Sequence, residues 1–342
     1  AYGELAYGSG RPTTTTSIWD MASVSKVVGT TTAAMMLVGD GALDLDAPVV
    51  QYLPWWSRGD ERKNQITVRQ LLIHRTGLPP FRRWFFDHEG LEAYKNAAAD
   101  EPLDMDPGLE TIYSDIGIMT LAWVIEEVSG QTLDALLQER LWDPLGMAET
   151  RYRPDASLKP RIAATEVDTL WRDELVWGRV HDENADAMGG VAGHAGLFST
   201  AVDLSVFAQM MLNGGESPAC QPGDDAGVPC PLGRGIAQQI VDPGVLSMFT
   251  TRFDETSTRG LGWDTPGERS SGGDYVTSSA FGHTGYTGTS IWMDPELDVW
   301  VILLPNRVPP SRENSKHVPL RRAVADAALL AITDQPVRKR TP

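Results

Sequence analysis

The sequence predicts a mixed α/β (α+β) protein with an antiparallel sheet drawn from both termini and a mostly helical second lobe. Strand patterns concentrate near the C-terminal end. There, residues 289–293 and 297–304 are apolar and flank a turn at 294–296, which is typical of a hairpin. A short strand is also expected at residues 2–8. Helical patterns dominate the chain between these regions, which places helices on the sheet and an inserted lobe beside it.

Length and composition agree with such a two-lobed protein. The chain has 342 residues, of which 42% are hydrophobic, enough for a sizeable core. We expect residues 1–55 and 256–342 to carry the sheet and residues 56–255 to be mostly helical, with a cleft between them. The net charge of −17 argues against nucleic-acid and anionic-membrane partners, and no run is apolar enough for a membrane span.

The first strong helical pattern begins at Ser23 and ends near Gly39. A spacing of three residues places Ser23 and Lys26 on one face of its first turn. A serine hydroxyl becomes a nucleophile beside a base, and a desolvated lysine can lose its proton to act as that base. Taken alone, the pair is equally typical of a buried helix with a solvated lysine at its end.

Further helices follow from caps and apolar spacing. They are expected at 66–74 (capped by Thr67), 116–128 (closed by Gly130), 132–141, 201–212 and 319–332, and in part of 236–250, where Pro243 would interrupt the helix. His74, at the end of one helix, is better explained by a structural hydrogen bond than by chemistry. Taken alone, Tyr113 is a half-buried aromatic residue, and either Ser114 or Asp115 caps the next helix.

Two polar groups later in the chain have competing explanations. His181, Asp182 and His194 have the chemistry of metal ligands but lack a compact ligand spacing, so a tightly packed loop is the preferred interpretation. Cys220 and Cys230 lie ten residues apart in a Pro/Gly-rich loop without a nearby histidine. A disulfide, and with it an oxidising compartment, is favoured over a metal site or two free thiols.

Three motifs occur in a fixed order: Ser-Val-Ser-Lys at 23–26, Tyr-Ser-Asp at 113–115 and His-Thr-Gly at 283–285. Together they closely resemble those of the serine β-lactamase and penicillin-binding protein superfamily, in the branch of class C β-lactamases, DD-carboxypeptidases and related esterases. Residues 71–79 and 196–200 extend the resemblance, which covers nearly the whole chain from Gly8 onward.

This resemblance implies an acyl-enzyme mechanism without a metal or cofactor. Ser23 would be the nucleophile, Lys26 its base or proton relay, and Tyr113 a proton shuttle to the leaving group. Acylation of Ser23 would be followed by hydrolysis or transfer.

The resemblance also assigns the third motif. His283 and Thr284, followed by Gly285, would lie on a strand edge facing a substrate carboxylate, and the backbone N–H groups of Ser23 and Tyr286 would form the oxyanion hole. If the charged form of His283 holds that carboxylate, binding should weaken as pH rises through the histidine titration. Burial would oppose the charged form and a nearby anion would favour it, and the sequence leaves this balance open.

The chain departs from the family pattern in two places. Asp115 stands where many relatives have Asn; an ionised carboxylate cannot donate to a substrate amide, and it would favour the charged form of a nearby Lys26. This argues against strong β-lactamase activity. Some carboxypeptidase-like relatives carry Asp there with a His-Asp-Glu-Asn segment like 181–184. Only 22 residues precede Ser23, so either the chain is truncated or the sheet is built differently.

The leading hypothesis is therefore a serine hydrolase acting on β-lactams or D-alanyl peptides, with a small-molecule or peptidoglycan-derived substrate. A carboxylesterase of the same fold needs the same nucleophile but no carboxylate anchor. A penicillin-binding sensor would be acylated without turnover. We expect a secreted, periplasmic or cell-envelope location. The oligomeric state is not encoded in any motif.

Overall fold

The computed structural model describes residues 1–218 and 237–340. Cys220 and Cys230 lie outside the described residues, so their disulfide stays a prediction. In the described part, a single helix starts at Val24, continues through a π-helical segment at Lys26–Thr31, and becomes regular at Thr32. Every residue of the π-helical segment is buried, so the polar groups that it carries need partners inside the protein.

The helices dominate the chain between the termini. In chain order they are α1 (Thr32–Gly39), α2 (Val49–Tyr52), α3 (Val68–Leu72), α4 (Leu91–Asp100), α5 (Asp115–Ser129), α6 (Leu133–Leu137), α7 (Asp143–Leu145), α8 (Glu183–Ala187), α9 (Ala201–Leu212), α10 (Pro243–Thr250) and α11 (His317–Leu330). A second π-helical segment, Gln138–Trp142, joins α6 to α7. No helix in the described ranges is both long and apolar enough to cross a membrane.

The strands are short and form separate antiparallel sheets. They are β1 (Trp19–Asp20), β2 (Arg151–Tyr152), β3 (Glu166–Asp168), β4 (Glu174–Val176), β5 (Leu197–Ser199), β6 (Phe281–Thr284), β7 (Ser290–Asp294) and β8 (Val299–Leu303). The strand orders are β1-β5-β2, β3-β4 and β6-β7-β8. In the last sheet His283 lies opposite Ile291, which fixes the face that its side chain presents.

The fold class is the predicted mixture of helices and small antiparallel sheets, but the N-terminus contributes less than expected. Residues 2–8 do not form a strand; the chain folds back on itself through a bridge between Glu4 and Pro12. Gly3 and Gly8 adopt positive φ angles, which bend the chain away from an extended conformation. The described part of the β6-β7-β8 sheet is therefore built from the C-terminal region alone.

The core is a continuous hydrophobic cluster that runs through both predicted parts of the chain. Helix α5 is buried along Ile116–Ile125 and packs against α3 and against the helix that follows Ser23. The start of α5 is thereby held beside the start of the Ser23 helix. The division of the chain at residues 55 and 256 stays a prediction.

Two helix ends match the sequence, and one predicted interruption is absent. Thr67 and Gln70 form a capping box at α3, and Gly130 ends α5 in a left-handed conformation, as expected. Pro243, however, does not interrupt a helix. It is the first residue of α10, where its missing N–H costs nothing, and Asp242 caps the helix from the preceding position.

The cap of α5 provides a test of how the fold holds this helix. The buried Ser114 hydroxyl accepts from the Gly117 N–H at 3.2 Å and donates to the Pro79 carbonyl at 2.7 Å. We expect Ser114→Ala to lower the free energy of unfolding by about 1–2 kcal/mol. Thr132, the N-cap of α6, makes no side-chain capping bond, so Thr132→Ala should cost less than about 0.5 kcal/mol. Equal losses in denaturant unfolding would contradict this assignment.

Candidate active site

A strained turn presents Ser23 at the start of its helix. Ala22, the preceding residue, has a φ of +47°, which is uncommon for a residue other than glycine. Its N–H donates to Asp20 Oδ1 at 2.7 Å, and Asp20 Oδ2 accepts from the His181 N–H at 2.7 Å. Asp20 therefore holds Ala22 in this conformation, which directs the Ser23 side chain away from the core.

The Lys26 ammonium joins three parts of the fold. Its Nζ donates to Ser23 Oγ at 2.8 Å and to the His194 carbonyl at 2.9 Å, and it lies 2.8 Å from Asp115 Oδ1. The residue is 1% exposed. Two of the three ammonium donors are thus hydrogen bonded, and Asp115 is the third partner through an ion pair.

These partners decide the charge of Lys26. Burial alone lowers the pKa of Lys26, but the Asp115 carboxylate and Tyr113 outweigh it, and the pKa is raised above its usual value. Lys26 is therefore an ammonium at rest. The sequence allows two outcomes, a desolvated neutral amine or a lysine kept charged by a nearby Asp115, and the contact with the carboxylate at the start of α5 selects the second.

Tyr113 lies between two cations just before α5. The Lys26 Nζ is 5.0 Å from the centre of its ring, and the guanidinium carbon of Arg259 is 5.1 Å from the same centre. Its hydroxyl is buried and has no hydrogen-bond partner among the described residues. The ring of Tyr113 thus lies against both cations.

His74 supports Tyr113 from behind. Its backbone has a positive φ of 57°, its Nδ1 accepts from the Ser114 N–H at 3.2 Å, and its ring centre is 4.6 Å from that of Tyr113. Burial, reinforced by Arg259 and Lys26, lowers the pKa of His74 well below its usual value. The ring is neutral and makes the structural hydrogen bond at a helix end that the sequence favoured.

His283 is also neutral, which changes its expected part in binding. Its Nδ1–H donates to the Thr284 carbonyl at 2.9 Å, within β6. Burial first, then the charges of Arg259 and Lys26, lower the pKa of His283 well below its usual value. The sequence left open whether burial or a nearby anion decides the charge of His283. Burial and the neighbouring cations decide it, so the imidazole is not the positive charge that would hold a carboxylate.

The turn after β6 docks onto the chain before Ser23. Thr287 Oγ1 donates to the Asp20 carbonyl at 3.0 Å and Thr289 Oγ1 to the Met21 carbonyl at 2.9 Å. A side chain at Gly285 would overlap Thr289 and Met21, so this approach requires glycine. Within the described residues, the backbone N–H groups of Ser23 and Tyr286 find no acceptor.

A cavity of about 320 Å³ opens over these groups. Its lining includes Ser23, Tyr113 and residues 283–286, together with Arg259, Arg307 and Arg321. Three arginines against one carboxylate, Asp264, make the lining cationic although the chain carries a net charge of −17. A larger cavity of about 530 Å³, lined by Trp142 and Gly193, contains none of these groups.

Arg259 is the site residue that the sequence did not reveal. Its Nη1 is buried and has no hydrogen-bond partner within the described ranges, and its guanidinium faces Tyr113 and the cavity. An arginine without an ionic partner in a pocket is suited to a ligand carboxylate or phosphate. No spacing or motif in the sequence marks it, because it lies 24 residues before His283 in an irregular segment.

The segment 181–184 and His194 build the lysine site rather than a metal centre. Asp182 Oδ1 accepts from the Ala185 N–H and from His194 Nε2, both at 2.8 Å. His181 Nε2 instead contacts Glu166 at 2.7 Å, so the three suggested ligands do not converge. The described residues contain no group of three or more His, Cys, Asp or Glu side chains arranged for a metal ion.

Comparison with known proteins identifies the class. The family model described as Beta-lactamase matches residues 2–326, so the chain belongs to the beta-lactamase family. The resemblance inferred from the three motifs is thereby confirmed.

Individual relatives are more specific. The chain is 33% identical over 325 residues to a protein of Escherichia coli (strain K12) named "Putative D-alanyl-D-alanine carboxypeptidase", covering 86% of this chain and 70% of the relative. A penicillin-binding protein homologue from Caulobacter crescentus superposes with a TM-score of 0.69 at 18% identity (96% and 88% coverage). EstCE1, a hydrolase with promiscuous acyltransferase activity, gives 0.69 at 22% identity (95% and 88%). These two structures establish the fold.

The neutral state of His283 can be measured directly. We expect its ring to stay neutral between about pH 6 and pH 8, a window in which an unperturbed histidine titrates. Histidine NMR shifts recorded across that window should be flat for His283, with the resonance assigned by its loss in His283→Gln. Binding of a carboxylate ligand should likewise not fall with a histidine-like midpoint. A midpoint near 6.5 in either titration would contradict the assignment.

Proposed function

We propose that this protein is a serine hydrolase that is acylated at Ser23 and acts on D-alanyl peptides. The observation that carries the proposal is the 2.8 Å hydrogen bond between Lys26 Nζ and Ser23 Oγ, in a cavity that also holds the unpaired Arg259. The names of the relatives support the same class of substrate. A peptidoglycan-derived substrate would place the protein outside the cytoplasm, where the Cys220–Cys230 pair could oxidise.

The proposed reaction begins with attack of Ser23 Oγ on the substrate carbonyl carbon. The carbonyl oxygen becomes an oxyanion that accepts from the backbone N–H groups of Ser23 and Tyr286. The C–N bond then breaks, the leaving amine takes up a proton, and the acyl group remains on Ser23 as an ester. Water hydrolyses this ester and restores the hydroxyl.

Proton movement in this scheme involves Lys26 and Tyr113. Because Lys26 is an ammonium at rest, it acts as a base towards Ser23 only in the fraction of molecules that has lost a proton. In that fraction Lys26 takes the Ser23 proton as Oγ attacks. Tyr113, whose hydroxyl is unpartnered within the described residues, passes its own proton to the leaving amine and regains one from Lys26.

Asp115 favours a peptidase over a β-lactamase. Its carboxylate contacts Lys26 and accepts hydrogen bonds only, so it cannot donate to the side-chain amide of a β-lactam. The same contact keeps the lysine charged. Asp115 therefore pairs with Lys26 rather than with the substrate.

A carboxylesterase is the second candidate, because it requires the same nucleophile. A structural neighbour, EstCE1, is titled a hydrolase with promiscuous acyltransferase activity, which supports ester chemistry on this fold. A neutral ester gives Arg259 nothing to bind, and this favours the carboxylate-bearing substrate. A sensor that is acylated without turnover would use the same site.

The substrate class can be tested at Arg259. We expect Arg259→Ala to raise KM for a peptide ending in D-Ala-D-Ala about 10- to 100-fold, the range of a lost charge-assisted hydrogen bond, and to change KM for p-nitrophenyl acetate less than about threefold. Arg58→Ala, which removes an exposed arginine paired with Asp100, is the matched control and should leave both unchanged.

The outcomes of this experiment separate the candidates. Equal losses on the peptide and the ester would remove Arg259 as a carboxylate anchor. A wild-type protein that hydrolyses the ester but not the peptide would establish the esterase instead. A protein that is acylated by a β-lactam and releases nothing would be the sensor.

A further inference from the structure

We propose that Arg321 and Arg307 act as a clamp on the turn after β6 and position the Tyr286 N–H as an oxyanion donor. The inference rests on the proposed function, since it concerns the second donor of the oxyanion hole. It assigns a part in the reaction to two arginines that do not touch the reacting atoms and that no motif includes. They are positioning residues.

Five consecutive carbonyl groups of this turn, residues 285–289, are all hydrogen bonded. Arg321 donates from Nε to the Gly288 carbonyl at 2.8 Å and from Nη2 to those of Gly285 at 2.6 Å and Thr289 at 2.9 Å. Arg307 donates from Nε to the Tyr286 carbonyl and from its backbone N–H to the Thr287 carbonyl, both at 2.8 Å. The turn is therefore held from outside by the Arg321 side chain and by the side chain and backbone of Arg307, which add to its own bond from the Gly288 N–H to the Gly285 carbonyl at 3.1 Å.

The bond to the Gly285 carbonyl controls the direction of the Tyr286 N–H. That carbonyl and that N–H belong to one peptide group, which is planar and, like other trans peptides, points its C=O and N–H in opposite directions. Fixing the oxygen with Arg321 thus fixes the direction of the hydrogen. A charged donor on the oxygen also polarises the amide and makes its N–H a stronger donor.

Arg321 is buried, and among the described residues the carbonyl groups of this turn are its side-chain hydrogen-bond partners. The residue is 7% exposed and reaches the turn from α11. Burial, with a contribution from Arg307, lowers the pKa of Arg321 to about 10, so the side chain stays charged near neutral pH. All three of its side-chain hydrogen bonds end on carbonyl groups of residues 285–289 rather than on a carboxylate.

Arg307 completes the clamp on the other side. Its guanidinium carbon is 4.0 Å from the ring centre of Tyr286, and the ring of His181 stacks on the same side chain with centres 5.5 Å apart. Tyr286 is thus held although it is 45% exposed. Tyr286 is at the same time one of the residues that line the cavity.

The experiment compares Arg321→Lys, Arg321→Ala and the matched control Arg322→Ala. Arg322 is the next residue of α11 and pairs with Asp274, outside the cavity. We expect both Arg321 variants to lose about 10- to 100-fold in kcat with KM within about threefold, because misplaced donors weaken the transition state and not the ground state. Guanidinium ion should restore part of the kcat of Arg321→Ala, and Arg322→Ala should match wild type.

A second measurement separates positioning from simple loss of folded protein. Affinity for phenylboronic acid, which forms a tetrahedral adduct with a serine, should fall by the same factor as kcat/KM, measured on protein shown to be folded by its circular dichroism. If the Arg321 variants do not fold, Arg307→Ala provides the test, because it changes a partly exposed side chain. It should lower kcat about three- to tenfold and leave KM within about threefold of wild type.

Three results would overturn the clamp: unchanged kcat in folded variants, a loss that falls on KM alone, or boronate affinity equal to wild type. A wild-type protein that neither turns over substrate nor binds phenylboronic acid at Ser23 would instead contradict the proposed function. The two failures are therefore distinguishable.

Discussion

The buried ammonium of Lys26 is the interaction on which the site depends. A charge at this depth is tolerated only with partners for each of its donors, and they come from three separated parts of the chain: Ser23, Asp115 and the His194 carbonyl. Helix α5 packs against the Ser23 helix, and Asp182 contacts His194. Both contacts hold the partners of Lys26 in place. Because these elements meet there, Ser23, the proposed nucleophile, is fixed by the core of the fold.

The same positive charge shapes the rest of the cavity. Lys26 and Arg259 lie on the ring of Tyr113, and together with burial they keep His74 and His283 neutral. His74 then packs against the Tyr113 ring and His283 donates to the Thr284 carbonyl, while Arg259 is the cation available to an anionic ligand within the described residues. Because arginines line the pocket, it is cationic although the protein has a net charge of −17.

Much of the fold and site could be predicted because local signals were strong. The caps at Thr67 and Gly130 and the β7–β8 hairpin follow from short-range chemistry, and three ordered motifs identify the family. The sequence could state that a nearby Asp115 would keep Lys26 charged, but not that the two side chains meet, nor which effect decides the charge of His283, because both depend on burial and on neighbours far apart in sequence. Arg259 carries no spacing signal, and the glycines near the N-terminus outweighed the strand pattern there.

The central claim, that Ser23 forms the acyl-enzyme, is tested most directly by intact mass after incubation with a β-lactam. Wild type should gain the mass of one acyl group, and Ser23→Ala should gain none while keeping its fold. Ser25→Ala is the matched control, because Ser25 is buried and its hydroxyl accepts from the Leu197 N–H at 3.1 Å. It should still be labelled. A Ser23→Ala protein that retains the label would contradict the account.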